Sequence, residues 1–285
     1  MKKIPLLLLI CLTLLSCKNN SDYNFWKFYQ SDESELYQQI RNNNLNRIEK
    51  ICKKNPDIIS KSYSEKKYSV LHYACDNGKI QAAEKLLQCG YNPNAVDEQD
   101  QTPLYSVFNP YTLNSNFNLS AICKLLIDYK ADVNFQKTKK IVDEFGNDYT
   151  PFMNALKSGQ VELARIMYSE GNADVNLKTE TGMTAVISSL LSHNLNSAVF
   201  VISECKADAT VVIVNEDSKE EVDVPYLLRK KILPIDSAQY KMKLEIIDEL
   251  TKQGIDYYSA RVPEEAKILL SKLYPDKWEK YIKIY

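Results

Sequence analysis

The chain has 285 residues, of which 45% are hydrophobic and 26% are charged, and it contains only seven Gly and ten Pro. These proportions are typical of a folded protein with a substantial core, and they argue against an intrinsically disordered chain. The formal net charge is −1. It gives no reason to expect a nucleic-acid partner, which would favour a strongly basic surface.

The first 16 residues form a segment distinct from the rest of the chain. Lys2 and Lys3 precede an apolar run over 4–15, and Ser16 is a small residue before Cys17. This order of charged, apolar and small residues predicts a secretory signal peptide. The apolar run is too short for a membrane-spanning helix, which needs roughly 18 residues or more.

The segment Leu-Leu-Ser-Cys at 14–17 resembles the lipobox of bacterial lipoproteins, in which the peptide is cut before a cysteine that receives lipid. Leu15 departs from the pattern, because the family prefers Ala or Ser at that position. The resemblance implies that Cys17 is lipidated and anchors the protein to a bacterial membrane, on the periplasmic face or at the cell surface. The alternatives are an ordinary secretory signal or an uncleaved anchor, with Cys17 incidental. In the lipidated protein, residues 17–33 would be a tether between the anchor and the folded part of the chain.

The segment 34–66 predicts a helix pair that begins the folded part of the chain. Leu36, Tyr37 and Ile40 recur at helical spacing, and the apolar residues of 45–52 do the same. Pro56 is expected to end the second helix. Because this pair lacks the opening pattern of the pairs that follow, we interpret it as a capping repeat.

Four later stretches repeat one pattern at a regular interval, at 69–74, 102–107, 150–155 and 183–188. Leu71 and Leu104 are 33 residues apart, as are Phe152 and Ala185, whereas the middle interval is 48 residues, one period plus 15. The stretches resemble the T-P-L-H-x-A signature of ankyrin repeats.

The resemblance implies an all-α fold, an ankyrin-repeat solenoid of helix pairs with β-hairpin-like finger loops. It covers 67–256, most clearly 67–209, with a degenerate last repeat at 226–256. His72 matches the signature His, whose imidazole hydrogen-bonds between neighbouring turns, so we expect a structural rather than a catalytic role. An Asp at Leu87 or Leu125 is expected to disrupt the stack, because it would bury a charge.

Departures from the period fall mainly in loops. The 15 extra residues are shared between 109–118, inside the third repeat, and 136–148, in its finger. Residues 211–225 predict two strands around a polar turn, so this finger is expected to be an enlarged β-hairpin. Because two strands alone are marginally stable, the hairpin should pack against a neighbouring element. The sixth opening is expected at 234–238. Two helices within 257–285 are expected to cap the last repeat.

The cysteines beyond the signal predict no metal site or disulfide framework, since none has C-x-x-C spacing and their number is odd. We expect them to fill the core as thiols, although an oxidising compartment leaves disulfides open. They are Cys52, Cys75, Cys89, Cys123 and Cys205.

No catalytic constellation is evident in the sequence. The chain contains no G-x-G-x-x-G, G-x-x-x-x-G-K-[ST] or G-x-S-x-G motif. His72 and His193 have no acidic partner at a recognisable spacing, and the acidic loops at 144–148 and 216–221 are interpreted as solvated charge. We therefore predict no enzymatic activity, no cofactor and no metal site.

The resemblance implies binding through the concave side, which is made of finger tips and first-helix faces. Our leading hypothesis is a monomeric scaffold tethered to the cell envelope by Cys17 that grips one protein partner with its enlarged fingers. The alternatives are a secreted ankyrin effector that acts on a host protein, and a periplasmic inhibitor or protector of a neighbouring enzyme. Long surface loops are also tolerated without any function. The candidate contact residues are Asp97, Gln99, Phe135, Lys137, Lys139, Lys140 and Lys178.

Overall fold

The computed structural model describes residues 33–59, 68–108, 116–137, 149–192, 195–214 and 219–284. The predicted signal peptide and nearly all of the tether, including Cys17, lie outside these residues. So do most of both insertions in and after the third repeat, with Lys139 and Lys140, together with His193 and the turn of the predicted hairpin.

The described chain consists of helix pairs in succession, one small hairpin, and two helices at the C-terminal end. The first four pairs are α1 (Glu33–Arg41) with α2 (Leu45–Lys54), α3 (Val70–Asp76) with α4 (Ile80–Gln88), α5 (Pro103–Ser106) with α6 (Leu119–Asp128), and α7 (Pro151–Lys157) with α8 (Val161–Ser169). The remaining elements are α9 (Ala185–Leu190) with α10 (Asn196–Ala198), which continues as a π-helix over Val199–Glu204, then β1 (Val212–Val214), β2 (Glu221–Asp223), α11 (Val224–Arg229) with α12 (Ala238–Lys252), α13 (Glu264–Leu273) and α14 (Trp278–Ile284). Short 3-10 helices lie at Pro56–Ile59 and Tyr257–Ser259.

The pairs stack in chain order. First helices contact first helices from α1 through α11, and second helices contact second helices along the opposite face. One continuous core runs through the stack, from Leu36 to Tyr257. This is the predicted all-α solenoid. Among the described residues, no helix combines the length and the apolar character needed to cross a membrane.

Side-chain caps set where the first helices begin. Thr150 Oγ1 accepts a hydrogen bond from Met153 N at 3.1 Å, and Pro151 occupies the first turn, where its fixed φ suits the helix. Thr184 Oγ1 caps α9 in the same way, through Ile187 N at 3.3 Å. Thr184 is therefore the residue that corresponds to the Thr of the signature in the fifth repeat. The sequence alignment at 183–188 had assigned that position to Met183, one residue earlier.

His72 bridges two repeats as expected. Its Nδ1 accepts a hydrogen bond from the backbone N–H of Ser69 at 3.2 Å, so its Nε2 carries the proton and donates to the carbonyl of Gln101 in the next repeat at 2.9 Å. Burial lowers the pKa of His72 below its usual value. The imidazole is thus a neutral structural link, and both of its nitrogens are occupied.

Adjacent leucines of α6 differ in burial. Leu126 is fully buried, whereas Leu125 is only partly buried. An aspartate would therefore bury its charge more completely at Leu126 than at Leu125, the position named from the sequence. Leu87, on α4, is 4% exposed. None of the five cysteines in the described part of the chain is in a disulfide; Cys75 and Cys123 have no exposed surface and fill the core as predicted.

The predicted hairpin is confirmed and rests on the stack. β1 and β2 are antiparallel, with Ile213 opposite Val222, and both of these side chains are 4% exposed and belong to the main core. On the outer side, Arg261 makes a two-point ion pair with Glu220, at 3.0 and 3.3 Å. Packing against a neighbour supplies the stability that two short strands lack by themselves.

The sixth pair opens earlier than the sequence suggested. Its first helix begins at Val224, directly after β2, with Asp223 Oδ1 accepting from Tyr226 N at 2.7 Å. The predicted opening at 234–238 is instead the turn before α12, where Ser237 is the cap. The alternating polarity over 221–225 predicted a strand that continued past Asp223. In the structure Asp223 is both the last residue of β2 and the N-cap of α11.

Two cations are buried beneath the C-terminal helices, which the sequence analysis did not foresee. Arg229 is 3% exposed and donates to three backbone carbonyls, those of Tyr257, Tyr258 and Ile282. Lys243 has no exposed surface, and its Nζ donates to the carbonyl of Lys231 at 3.1 Å. Both side chains would be assigned to the surface from residue type alone.

Lys243 should make the stability of the protein depend on alkaline pH. Burial, together with the positive charge of Arg229, lowers the pKa of Lys243 to about 7. Between this value and the ordinary lysine pKa of about 10.4, the unfolded chain binds more protons, so stability rises with pH. We expect Lys243→Met to be more stable than wild type near pH 6, with the difference shrinking by up to about 1.4 kcal/mol per pH unit towards pH 10.

Urea unfolding of wild type and Lys243→Met at pH 6, 8 and 10 measures this difference. Lys241→Met removes an exposed lysine from the same helix and should track wild type at each pH. Parallel pH curves for wild type and Lys243→Met would show that Lys243 stays charged in the folded protein.

Candidate protein-binding surface

The finger loops stand on a ladder of asparagines that ties each repeat to the next. Asn134 donates to the carbonyl of Asn172 at 3.1 Å and accepts from Asp174 N at 2.9 Å. Asn94 makes the same two bonds to the following repeat, at 2.9 and 2.7 Å. Asn176 accepts from Asp208 N at 2.9 Å. Because one side chain satisfies backbone groups of its neighbour, the bases of successive fingers are held at a constant spacing.

The finger after the second repeat is closed by Asp97. Its Oδ1 accepts from the backbone N–H groups of Gln99 at 2.8 Å and Gln101 at 2.9 Å, and the side chain is buried. We expected Asp97 to be exposed for a partner, and this was wrong, since its carboxylate is turned inward to hold the loop. Thr179 does the same in the finger after the fourth repeat, where its hydroxyl accepts from Met183 N at 3.0 Å.

The other predicted contact residues occupy two depths on the fingers. Gln99 and Lys178 are exposed, whereas Phe135 and Lys137 are half-buried at the base of the third finger. The structure therefore brings Lys137 against the first-helix side of the stack and leaves Gln99 and Lys178 at the solvent boundary.

A lysine lies over a tyrosine ring in the third repeat and again in the fourth. Lys137 Nζ is 4.2 Å from the ring centre of Tyr105, and Lys157 Nζ is 4.1 Å from that of Tyr149. Burial lowers the pKa of Lys137, and the nearby carboxylates of Asp97 and Asp100 partly oppose this effect. These contacts are cation–π interactions of the kind found at partly desolvated sites.

Sequence reasoning missed both tyrosines and Lys157. A signal was present, because Tyr105 stands at the position that His72 holds in the preceding repeat, and Tyr149 directly precedes the Thr150 cap. An aromatic residue in place of the bridging His cannot make the two hydrogen bonds of an imidazole. Its ring is then available to a cation from the next finger.

The opposite face, formed by the second helices, carries ion pairs between neighbouring repeats. The pairs are Glu49 with Lys85 at 3.7 Å, Lys124 with Glu170 at 2.7 Å, Arg165 with Glu204 at 2.6 Å, and Lys206 with Glu249 at 2.7 Å. Exposed pairs of this kind typically contribute under about 1 kcal/mol each. Glu249 differs from the other carboxylates because its side chain is only 10% exposed. The charges of this face are thus largely directed at one another.

The described residues give little sign of a site built for chemistry on the finger side. Within them, no group of three or more His, Cys, Asp or Glu side chains is arranged to hold a metal ion. His72 has both ring nitrogens engaged with the backbone. What the arrangement offers is a row of finger bases tied to one another by asparagine side chains, with lysines on the same side.

Comparisons with known proteins agree with this architecture. Ankyrin-repeat family models match 66–95, and 112–212 as three copies. The structure is similar to the crystal structure of EF0377, an ankyrin repeat protein, with a TM-score of 0.51 at 16% sequence identity. The match covers 76% of this chain and 96% of that one. Residues 66–95 and 112–212 are therefore ankyrin repeats, and the predicted ankyrin-repeat solenoid is confirmed.

Two curated proteins are also similar in part. The ankyrin repeat-containing protein P1E11.10 of Schizosaccharomyces pombe is 28% identical over 112 residues, 39% of this chain and 45% of that protein. The NAD-dependent deacetylase sir2B of Dictyostelium discoideum is 23% identical over 144 residues, 50% of this chain and 17% of that protein. The chain spans less than half the length of each.

Proposed function

We propose that this ankyrin-repeat solenoid is a non-catalytic protein-binding scaffold, held at a bacterial cell envelope by lipid on Cys17. The observation that carries the binding role is the row of finger bases, tied to one another by the asparagine ladder, with Lys137 held over Tyr105 at the base of the third finger. A surface that is rigid before binding loses little conformational entropy when a partner docks.

Positive charge suits the finger side to an acidic protein partner. The exposed Lys178 and the half-buried Lys137 lie on this side. The rings of Tyr105 and Tyr149 are only 6% and 3% exposed, so they position Lys137 and Lys157 and do not themselves face a partner. A partner segment that brings carboxylates to the lysines would be complementary.

The partial similarity to a deacetylase does not support a catalytic role. It covers 17% of that enzyme, and this chain has no G-x-G-x-x-G segment with which to cradle a dinucleotide. The same observations favour a scaffold over an enzyme.

The tether to the membrane is the second part of the proposal. The sequence Leu-Leu-Ser-Cys at 14–17 supports it, as does the short apolar run before it. An extended tether of about 16 residues reaches roughly 50 Å, so the fingers could meet a partner well away from the lipid. We expect Cys17→Ser to lose metabolic labelling by a fatty-acid analogue and to leave the membrane fraction. A variant that keeps both properties would contradict lipid anchoring at this cysteine.

Cross-linking from native membranes tests the binding surface. Wild type is compared with Lys137→Glu/Lys178→Glu, and with Lys50→Glu/Lys241→Glu, which reverses two exposed lysines on second helices. We expect a partner that is captured by wild type and by the second variant and lost by the first. Thermal melts of all three confirm folding. Equal capture by both variants would remove the fingers from the binding site.

A further inference from the structure

Two cysteines from neighbouring repeats meet at the N-terminal end of the stack. Cys52 lies on α2, and Cys89 directly follows α4 as its C-terminal cap residue. The two helices pack against each other, and the Cys89 side chain lies close enough to Cys52 to help raise the pKa of the Cys52 thiol. Both line one cleft of about 290 Å³ on the second-helix face.

The two thiols differ in their access to solvent. Cys52 is 3% exposed, whereas Cys89 is only half-buried. Cys75 and Cys123, by contrast, are enclosed in the core. A small molecule that enters the cleft can therefore reach the thiol of Cys89, with Cys52 lining the same cleft.

Charged groups surround the cleft. Glu49 lies between Lys53, at 2.5 Å, and Lys85, at 3.7 Å. Burial raises the pKa of Cys52 to about 12, and the neighbouring Cys89 and Glu49 add to the effect. Cys89 is the thiol that a molecule from solution can reach, so it is the one placed for the first attack.

We propose that Cys52 and Cys89 form a disulfide between the first two repeats when a small-molecule disulfide oxidant enters this cleft. Cys89, as the thiolate, attacks the oxidant, whose S–S bond breaks and releases one thiol, leaving a mixed disulfide on Cys89. Cys52 then loses its proton and attacks Cys89 Sγ, forming the new bond and releasing the second thiol. Two protein thiols are oxidised, one oxidant disulfide is reduced, and the two protons pass to the released thiolates.

The bond would fasten the end of the solenoid. In a stack of repeats each pair contacts only its neighbours, so the terminal pair is held from one side and opens readily. A covalent link between 52 and 89 restricts the unfolded chain and opposes that opening. In an oxidising compartment such a link would persist, whereas in a reducing one the thiols would remain free. This inference does not depend on the proposed binding role.

Oxidation of the purified full-length protein tests the proposal. The protein is equilibrated with glutathione disulfide, free thiols are alkylated, and the digest is analysed by mass spectrometry without reduction. We expect a peptide pair joined through Cys52 and Cys89, and a higher melting temperature that reverses on reduction. Cys205→Ser, a half-buried thiol in another repeat, should behave like wild type, whereas Cys89→Ser should lose the link and the shift.

Three outcomes would overturn the proposal. They are alkylation of both thiols after equilibration, a glutathione adduct that stays on Cys89 without transfer to Cys52, and a link between two molecules rather than within one. Each can be seen in wild type, so the conclusion does not depend on the folding of a variant.

Discussion

Leu126→Asp is expected to abolish cooperative folding of the solenoid, whereas Leu125→Asp is expected to leave a folded protein. Leu126 is fully buried in α6, and an aspartate there would lose about 1.5–3 kcal/mol of side-chain burial and place a carboxylate without a partner in the core. Desolvation of that charge adds several kcal/mol. The sum is comparable to the whole stability of an ordinary domain, about 5–15 kcal/mol.

The position of Leu126 makes the effect more than local. α6 contacts α4 on one side and α8 on the other, so a defect in it separates the pairs before it from the pairs after it. Stability in a solenoid depends on these interfaces between neighbours. We expect circular dichroism to show either loss of the folded baseline or two separate transitions in urea.

Leu125→Asp is the matched control. The side chain is partly buried, so an aspartate there can still turn its carboxylate to water and the loss should be smaller than at Leu126. Equal unfolding midpoints for the two variants would mean that the adjacent positions do not differ in burial in solution.

Arg229→Met is expected to release the C-terminal helices while the preceding repeats stay folded. The guanidinium donates to the carbonyls of Tyr257 at 3.3 Å, Tyr258 at 3.0 Å and Ile282 at 3.4 Å. A single bond from a charged group contributes about 1.5–3 kcal/mol, and the three together justify an expected loss of at least about 3 kcal/mol. Methionine fills much of the space but leaves all three carbonyls without this donor.

Amide hydrogen exchange locates the loss. We expect faster exchange over 264–284 and little change in α7 and α8. Arg229→Lys keeps the charge but not the fork of donors, so it should fall between wild type and Arg229→Met. Arg261→Met, which removes an exposed pair with Glu220, should cost less than about 1 kcal/mol. Unchanged exchange over 264–284 in Arg229→Met would refute the anchoring role.

Much of the binding surface was open to prediction, but the side chains that shape it were not. The positions of the fingers follow from the repeats, and the exposure of Gln99 and Lys178 follows from their place at the tips. The burial of Asp97 does not, because a carboxylate in a loop is usually solvated and only the closed turn supplies the two N–H groups that hold it. Lys137 over Tyr105 depends on a contact between the first helix of the third repeat and the finger at its far end, which are distant in sequence.

The amino-acid sequence by itself determined the repeat architecture, the link made by His72, and the hairpin over 212–223. These features depend on caps and turns that act within a few residues along the chain, or on patterns that recur at a constant interval. They can therefore be predicted from the sequence.

Only the tertiary structure decided the register of the fifth repeat, the opening of the sixth at Val224, the burial of Arg229 and Lys243, and the meeting of Cys52 with Cys89. Each depends on which side chain the next repeat places opposite it. That choice is made by the angle and spacing of the stack, because burial and hydrogen bonding between repeats are settled only when neighbouring helices pack.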